Sequence, residues 1–242
     1  MIQFISNWIK EYANLNSPNL FQLVVGVSGG IDSAVTSTLC AKTGILTHVV
    51  SMPIKQNPKQ HDLSLKHIKW LKNKYQNVNS HIIELDDVFK NFNLVMKNYK
   101  SDLAFANSRS RLRMVTLYQI AQFNNGIVVG TGNKVEDFGI GFYTKYGDGG
   151  VDISPIADCT KSQVWEMGKE LGIDNSIIEA KPTDGLWDDS RNDEDQIGLT
   201  YKQIEEAMDN NKSQHYKKYE TIRAPNLHKM KPIPICILPK KL

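Results

Sequence analysis

A chain of 242 residues, 40% hydrophobic and 23% charged, has the composition of a folded water-soluble protein and is long enough to bury a substantial core, which excludes the disordered and fibrous classes. Its 29 basic and 26 acidic residues are dispersed without a block of five or more like charges, so the net charge of +3 gives no support to nucleic-acid binding. Cys40, Cys159 and Cys236 are too far apart for a CxxC metal or redox pair and odd in number, so no disulfide framework is expected and a reducing cytoplasm is the simplest compartment.

In chain order, Ile2, Ile5, Trp8, Ile9, Tyr12 and Leu15 recur at helical spacing and predict an amphipathic helix, neither a signal peptide nor a membrane span. Leu20 to Val27 is a short apolar run ended by Ser28-Gly29-Gly30, as expected of a buried strand, and Asp32 to Thr43 then reads as a helix. Further apolar runs at Leu46 to Met52, His81 to Leu85 and Ile127 to Gly130 alternate with helical stretches at Leu63 to Tyr75, Val88 to Tyr99 and Ser108 to Phe123. This alternation predicts an α/β fold, an open and mostly parallel sheet with helices on both faces, whose ligands bind at the carboxyl ends of the strands. Beyond Val135 the pattern is less regular. It comprises a glycine-rich loop, helices at Lys161 to Leu171, Tyr201 to Met208 and Gln214 to Arg223, an acidic stretch from Pro182 to Asp195, and a tail with Pro232, Pro234 and Pro239. The acidic stretch has little apolar surface besides Leu186 and Trp187 and is expected to act as a lid. With no internal repeat or low-complexity linker, residues 1–242 are expected to form one domain.

Between the first strand and its helix lies Gly26-Val27-Ser28-Gly29-Gly30-Ile31-Asp32-Ser33. Glycines let the backbone approach an anion, the amides and positive end of the following helix stabilise phosphate oxygens, and Ser28 and Ser33 offer hydroxyls. The string has no GxxxxGK[ST] lysine and does not fit GxGxxG. The alternative is a glycine-rich turn capped by Ser28 or Asp32. Glu136 supplies a second carboxylate after the Ile127 to Gly130 strand, and two hard oxygen donors near phosphates suit Mg²⁺. Arg111 precedes Met114 and Val115 by three and four residues, which predicts an inward position, with Arg109 and Arg113 exposed.

The SGGxDS string resembles the pyrophosphate-binding loop of the ATP pyrophosphatases. Four further segments, Ser110 to Met114, Gly130 to Glu136, Phe142 to Gly150 and Lys181 to Thr183, together with His228-Lys229, resemble the ammonia-dependent NAD synthetases in order and spacing. That resemblance implies a Rossmann-like fold of the adenine nucleotide alpha hydrolase type. It places the first loop, Thr131, Lys161 and Thr183 on ATP, Asp32 and Glu136 on Mg²⁺, and Arg111, Lys145, Asp152, His228 and Lys229 on deamido-NAD. A homodimer is also implied. Two departures stand out: one additional residue lies between Glu136 and Lys145, and the tail ends PIPICILPKKL where many relatives are acidic and rich in Trp.

The implied activity is ATP-dependent amidation of deamido-NAD by ammonia through an acyl-adenylate, giving NAD, AMP and pyrophosphate in the cytoplasm. The resemblance covers most of the chain and leaves no length for a fused glutaminase domain, so ammonia is the expected nitrogen source. No Ser, Cys or His nucleophile is required, because positioning and charge neutralisation can carry this chemistry. A tRNA-modifying or GMP-forming pyrophosphatase shares the loop, but this chain has neither paired cysteines nor strong positive charge. A non-catalytic adenine-nucleotide sensor is the alternative of a different class, and the Asp32 and Glu136 pair argues against it.

Overall fold

The computed structural model describes residues 1–15, 21–183 and 192–238. Four strands, β1 (Gln22–Gly26), β2 (Thr47–Ser51), β3 (Val78–Ile82) and β4 (Gly126–Val128), form a parallel sheet in the order β3-β2-β1-β4. An isolated parallel bridge from Val129 to Ile153 extends the β4 edge. Parallel strands need long crossovers, and these are the helices α2 (Ile31–Lys42), α3 (Pro58–Lys74) and α5 (Asp102–Phe123).

Side chains alternate across a strand, and the sheet sorts them onto two cores. On one face Leu23, Val25, Val49 and Ile127 pack with α1 (Ile2–Leu15), α2, α3 and α6 (Lys161–Leu171). On the other, Val24, Val50 and Val128 meet Phe89 of α4 (Asp86–Val95) and Ala121 of α5. Each such aliphatic side chain contributes about 1.5–3 kcal/mol on full burial. A third cluster, built from Val135, Ile140, Ile197, Leu199, Tyr201, Ile204, Ala207 and Tyr219, joins the later helices to a π-helix at Lys134–Ile140. The cluster draws on α8 (Asp193–Ile197), α9 (Tyr201–Asp209) and α10 (Tyr216–Arg223), while Ile177 of α7 (Asn175–Ile178) belongs to the first core and α11 (Leu227–Met230) follows α10.

The expected α/β fold is present, with differences in detail. The third strand lies at Val78–Ile82 rather than His81 to Leu85, because Thr47 pairs with Val78 and Ser51 with Ile82. Helix α5 begins at Asp102, where Ser101 caps it, six residues before the expected start. In α1 the buried stripe is Ile2, Ile5, Ile9 and Ala13, while Trp8 and Leu15 are exposed. The expected lid falls largely on residues 184–191, which lie outside the described residues. No helix among the described residues is long and apolar enough to cross a membrane.

Candidate active site

The strand order reverses at β1 and β4, since the crossovers from β1 run one way to β2 and β3 while β4 lies on the opposite side. At such a switch point the loops after the two strands diverge and leave a crevice at their carboxyl ends. A cavity of about 840 Å³ opens there, lined by Gly26 to Asp32, Gly130, Thr131, Glu136, Lys161, Thr183 and Lys229 among others.

The loop after β1 is built for close approach. Gly29 has φ +94, and a Cβ there would stand 2.4 Å from the Gln60 carbonyl oxygen, so only glycine fits without strain. The N-cap of α2 is Gly30 and no side chain caps the helix itself, while Ser28 Oγ accepts the Gly30 amide within the turn at 3.2 Å. Ser33 differs from its expected ligand role. Its hydroxyl is buried, donates to the Gly30 carbonyl at 2.9 Å and accepts from the Ser28 amide at 3.2 Å, so it braces the loop from behind and does not line the cavity.

Asp32, in the first turn of α2, and Glu136, in the π-helix beyond β4, converge on Lys161 at the start of α6. The Lys161 ammonium is 2.5 Å from Asp32 Oδ2 and 2.9 Å from Glu136 Oε1, and its side chain is 1% exposed. Helix α6 reaches this position by packing closely on α2 at Gly168, where a Cβ would meet Ile31 Cδ1 at 2.7 Å. Asn133, fully buried, links the Asp32 carboxylate to the start of the π-helix: its amide donates to Asp32 Oδ1 at 3.0 Å and its carbonyl oxygen accepts the backbone N–H groups of Val135 and Glu136. Tyr201 donates its hydroxyl to Glu136 Oε1 at 2.5 Å. Neither Asn133 nor Tyr201 is assigned a role by sequence reasoning. Asn133 carries a legible signal, a polar N-cap residue before a helical segment, whereas Tyr201 carries none beyond a helix start.

Burial alone would lower the pKa of Lys161, but the Asp32 and Glu136 carboxylates outweigh it and the net shift is upward, keeping the ammonium charged. Burial raises the pKa of Asp32, Lys161 only partly offsets it, and the neighbouring Glu136 charge adds to the rise. Two carboxylates share one ammonium, a formal excess of one negative charge beside the glycine-rich loop. Hard oxygen donors with surplus charge fit a divalent cation such as Mg²⁺. Among the described residues no group of three or more His, Cys, Asp or Glu side chains is arranged to hold a metal ion, so a cation at Asp32 and Glu136 would draw further ligands from a bound phosphate or water.

Asp148 and Lys229 also line the cavity. Asp148 accepts from the Ser110 hydroxyl at 2.6 Å and the Thr144 amide at 3.0 Å, yet burial by surrounding protein raises its pKa. Lys229 donates to the Tyr143 carbonyl at 2.7 Å; burial lowers its pKa against the opposing charges of Asp148 and Asp137.

The remaining expected substrate residues do not line this cavity. Arg111 is exposed and contacts the Lys145 carbonyl at 3.4 Å, whereas Arg109 is buried at 8% exposure against the Phe89 ring, which reverses the expected orientation. The stripe of α5 that faces inward runs through Ala106, Ser110, Leu117 and Ala121, and Val115, paired with Arg111 in the sequence reading, is itself exposed. Lys145 donates to the His228 carbonyl at 3.3 Å, and the His228 side chain is exposed. Asp152 accepts from the Val128 amide at 2.7 Å and the Tyr118 hydroxyl at 3.0 Å, terminating β4.

The family model described as NAD synthase matches residues 1–240. The chain is 38% identical over 208 residues to the NH(3)-dependent NAD(+) synthetase of Finegoldia magna, covering 86% of this chain and 83% of that protein. It is similar in structure to an NMN synthetase from Francisella tularensis, with a TM-score of 0.87, 33% identity, and coverage of 99% of this chain and 97% of that one. It also shares its fold with an NH3-dependent NAD synthetase from Campylobacter jejuni, with a TM-score of 0.78, 24% identity, and coverage of 98% and 97%.

Proposed function

The chain belongs to the NAD synthase family, and we propose that it amidates the nicotinate carboxylate of deamido-NAD with ammonia at the expense of ATP, the last step of NAD biosynthesis. The observation that carries this reading is the meeting of Asp32 and Glu136 across Lys161 beside the glycine-rich loop. In the reaction the substrate carboxylate attacks the α-phosphate of ATP, pyrophosphate departs, and ammonia then displaces AMP from the acyl-adenylate.

The loop from Gly26 to Ser33, with the uncapped N-terminus of α2, holds the phosphates through its amides and helix dipole. Thr131 and Thr183 line the same cavity and add hydroxyl donors. Asp32 and Glu136 would hold Mg²⁺, which when bound neutralises charge on the phosphates and the departing pyrophosphate. Lys161, kept cationic by these carboxylates, supplies a fixed positive charge next to that centre, and Lys229 lines the same cavity. Placement and electrostatics of this kind suffice for phosphoryl and adenylyl transfer.

The protein acts as a homodimer in this reading. Arg111, Lys145, Asp152 and His228 lie on the surface outside the cavity, and Leu94, Val95, Leu103 and Val115 of α4 and α5 are exposed, as a surface completed by a second copy requires. Residues 1–242 act as one domain in the cytoplasm. A second reading, favoured by the likeness to an NMN synthetase, is amidation of nicotinic acid mononucleotide.

The test is incubation with ATP, Mg²⁺, ammonium chloride and either deamido-NAD or nicotinic acid mononucleotide, with separation of the amide product and AMP. The first substrate is expected to give the higher kcat/KM. A higher value with the mononucleotide selects the second reading, and absence of AMP with both refutes the amidation.

A further inference from the structure

Helix α9 presents one face to the catalytic pair. Its first turn is fixed by a reciprocal cap, in which Thr200 Oγ1 accepts from the Gln203 amide at 3.3 Å and Gln203 Oε1 accepts from the Thr200 amide at 2.9 Å. Tyr201 follows at 1% exposure, its amide bonded to Glu194 Oε1 at 3.0 Å and its ring edge-on to Trp165 with centroids 5.8 Å apart. One helical turn later on the same face, Glu205 accepts both the backbone N–H of Ser162 at 2.9 Å and its hydroxyl at 2.7 Å, anchoring the start of α6 beside Lys161. One helix face thus grips both halves of the Lys161–Glu136 pair.

The Tyr201 hydroxyl oxygen is 2.5 Å from Glu136 Oε1 and 3.1 Å from Asp193 Oδ2. A phenol has a single hydrogen to donate, and the shorter contact identifies Glu136 as its acceptor. Lys161 donates to the same Oε1 at 2.9 Å, and its Nζ stands 4.8 Å from the centre of the Tyr201 ring. Both donors therefore fall on one oxygen of Glu136, which restrains the carboxylate about its terminal bond.

We propose that Tyr201 is a positioning residue that, with Lys161, locks Glu136 through Oε1 and so presents Oε2 to the divalent cation. The proposal rests on the reading of Glu136 as a cation ligand. Tyr201 does not line the cavity, so it acts through Glu136 rather than on substrate. A buried phenol that used Glu136 merely to satisfy its own hydroxyl would support stability alone, with no effect specific to the metal.

The experiment compares the full chain with Y201F, E136Q and the double variant. It reads kcat, KM for deamido-NAD, melting temperature, and Mn²⁺ affinity by electron paramagnetic resonance without turnover. Phe keeps the ring against Trp165 and Lys161 and removes only the hydroxyl. Loss of one charge-assisted hydrogen bond predicts about a tenfold fall in kcat and about a tenfold weaker Mn²⁺ affinity, with KM within about twofold of wild type. The double variant is expected to bind Mn²⁺ no more weakly than E136Q, because the hydroxyl has nothing left to position. Wild-type Mn²⁺ affinity in Y201F alongside weakened binding in E136Q overturns the role of Tyr201. Wild-type affinity in E136Q overturns the assignment of Glu136 to the metal and, with it, the premise.

Discussion

Replacing Lys161 with Met removes an ammonium while keeping an unbranched side chain of similar length, and thereby tests whether the Asp32–Lys161–Glu136 cluster is the electrostatic centre of the site. Lys161 is 1% exposed, while the Asp32 and Glu136 side chains keep 18% and 16% exposure. Deleting one partner of a buried ion pair costs about 3–5 kcal/mol because the remaining charge is left uncompensated. Residual exposure to water in the cavity puts the expected loss at the lower end, about 3 kcal/mol. For a chain of this size that corresponds to a fall of about 6–12 °C in Tm.

The pH dependence supplies a sign. Burial and the mutual repulsion of the two carboxylates already raise the pKa of Asp32, and without Lys161 the opposing influence is gone. A carboxyl whose folded pKa lies above its unfolded value binds protons on folding. Its stabilising contribution is complete below the unfolded pKa and is lost as pH rises through the folded one. The gap in Tm between wild type and K161M should therefore be widest at pH 7.5 and narrow towards pH 5. Over that range Lys161 of the wild type stays protonated, because its own pKa is raised above the ordinary lysine value. Thermal melts of both proteins at half-unit steps of pH measure the effect. A variant within about 2 °C of wild type at pH 7.5, or a gap that does not change with pH, would refute the electrostatic argument.

Asp32→Asn and Glu136→Gln are each expected to abolish nearly all pyrophosphate release while leaving circular dichroism unchanged, because both remove charge from the proposed metal site rather than volume from the core; near-normal turnover at saturating Mg²⁺ excludes the residue concerned. Gly29→Ala should destabilise the fold by about 1–3 kcal/mol in urea melts and weaken ATP binding in calorimetry, since the new Cβ meets the Gln60 carbonyl at 2.4 Å on a backbone with φ +94. Ammonium chloride should support amidation by the purified chain and ammonia-free glutamine should not. Cys40 is buried with its thiol pushed up to about 12, Cys159 is also buried and raised by burial, and Cys236 lies exposed in the tail, so none is set up as a glutaminase nucleophile. Equal rates with the two nitrogen sources would overturn that expectation.

What the residues determine locally is legible without a structure. Valine-rich runs alternating with helical periodicity specify parallel strands and crossovers, because each pattern reflects which side chains one element must bury. Gly29 and Gly30 between a strand and a helix mark the proposed phosphate loop, and the expected helix start at Lys161 is where α6 begins. The tertiary structure decided what these pieces do to one another. Lys161 and Asp32 are 129 positions apart and meet only because α6 packs across α2 at Gly168. Asp32 and Glu136 face one crevice only because β4 takes its place beside β1 rather than beyond β3. Arg109 and Arg111 exchanged their expected places because the inward stripe of α5 was set by its packing on the sheet and on Phe89, which periodicity among mixed apolar and charged residues does not define. Tyr201 stayed invisible for the same reason: a helix start encodes its own capping, whereas the partner of a buried hydroxyl is chosen by whichever distant segment the hydrophobic core brings within 2.5 Å.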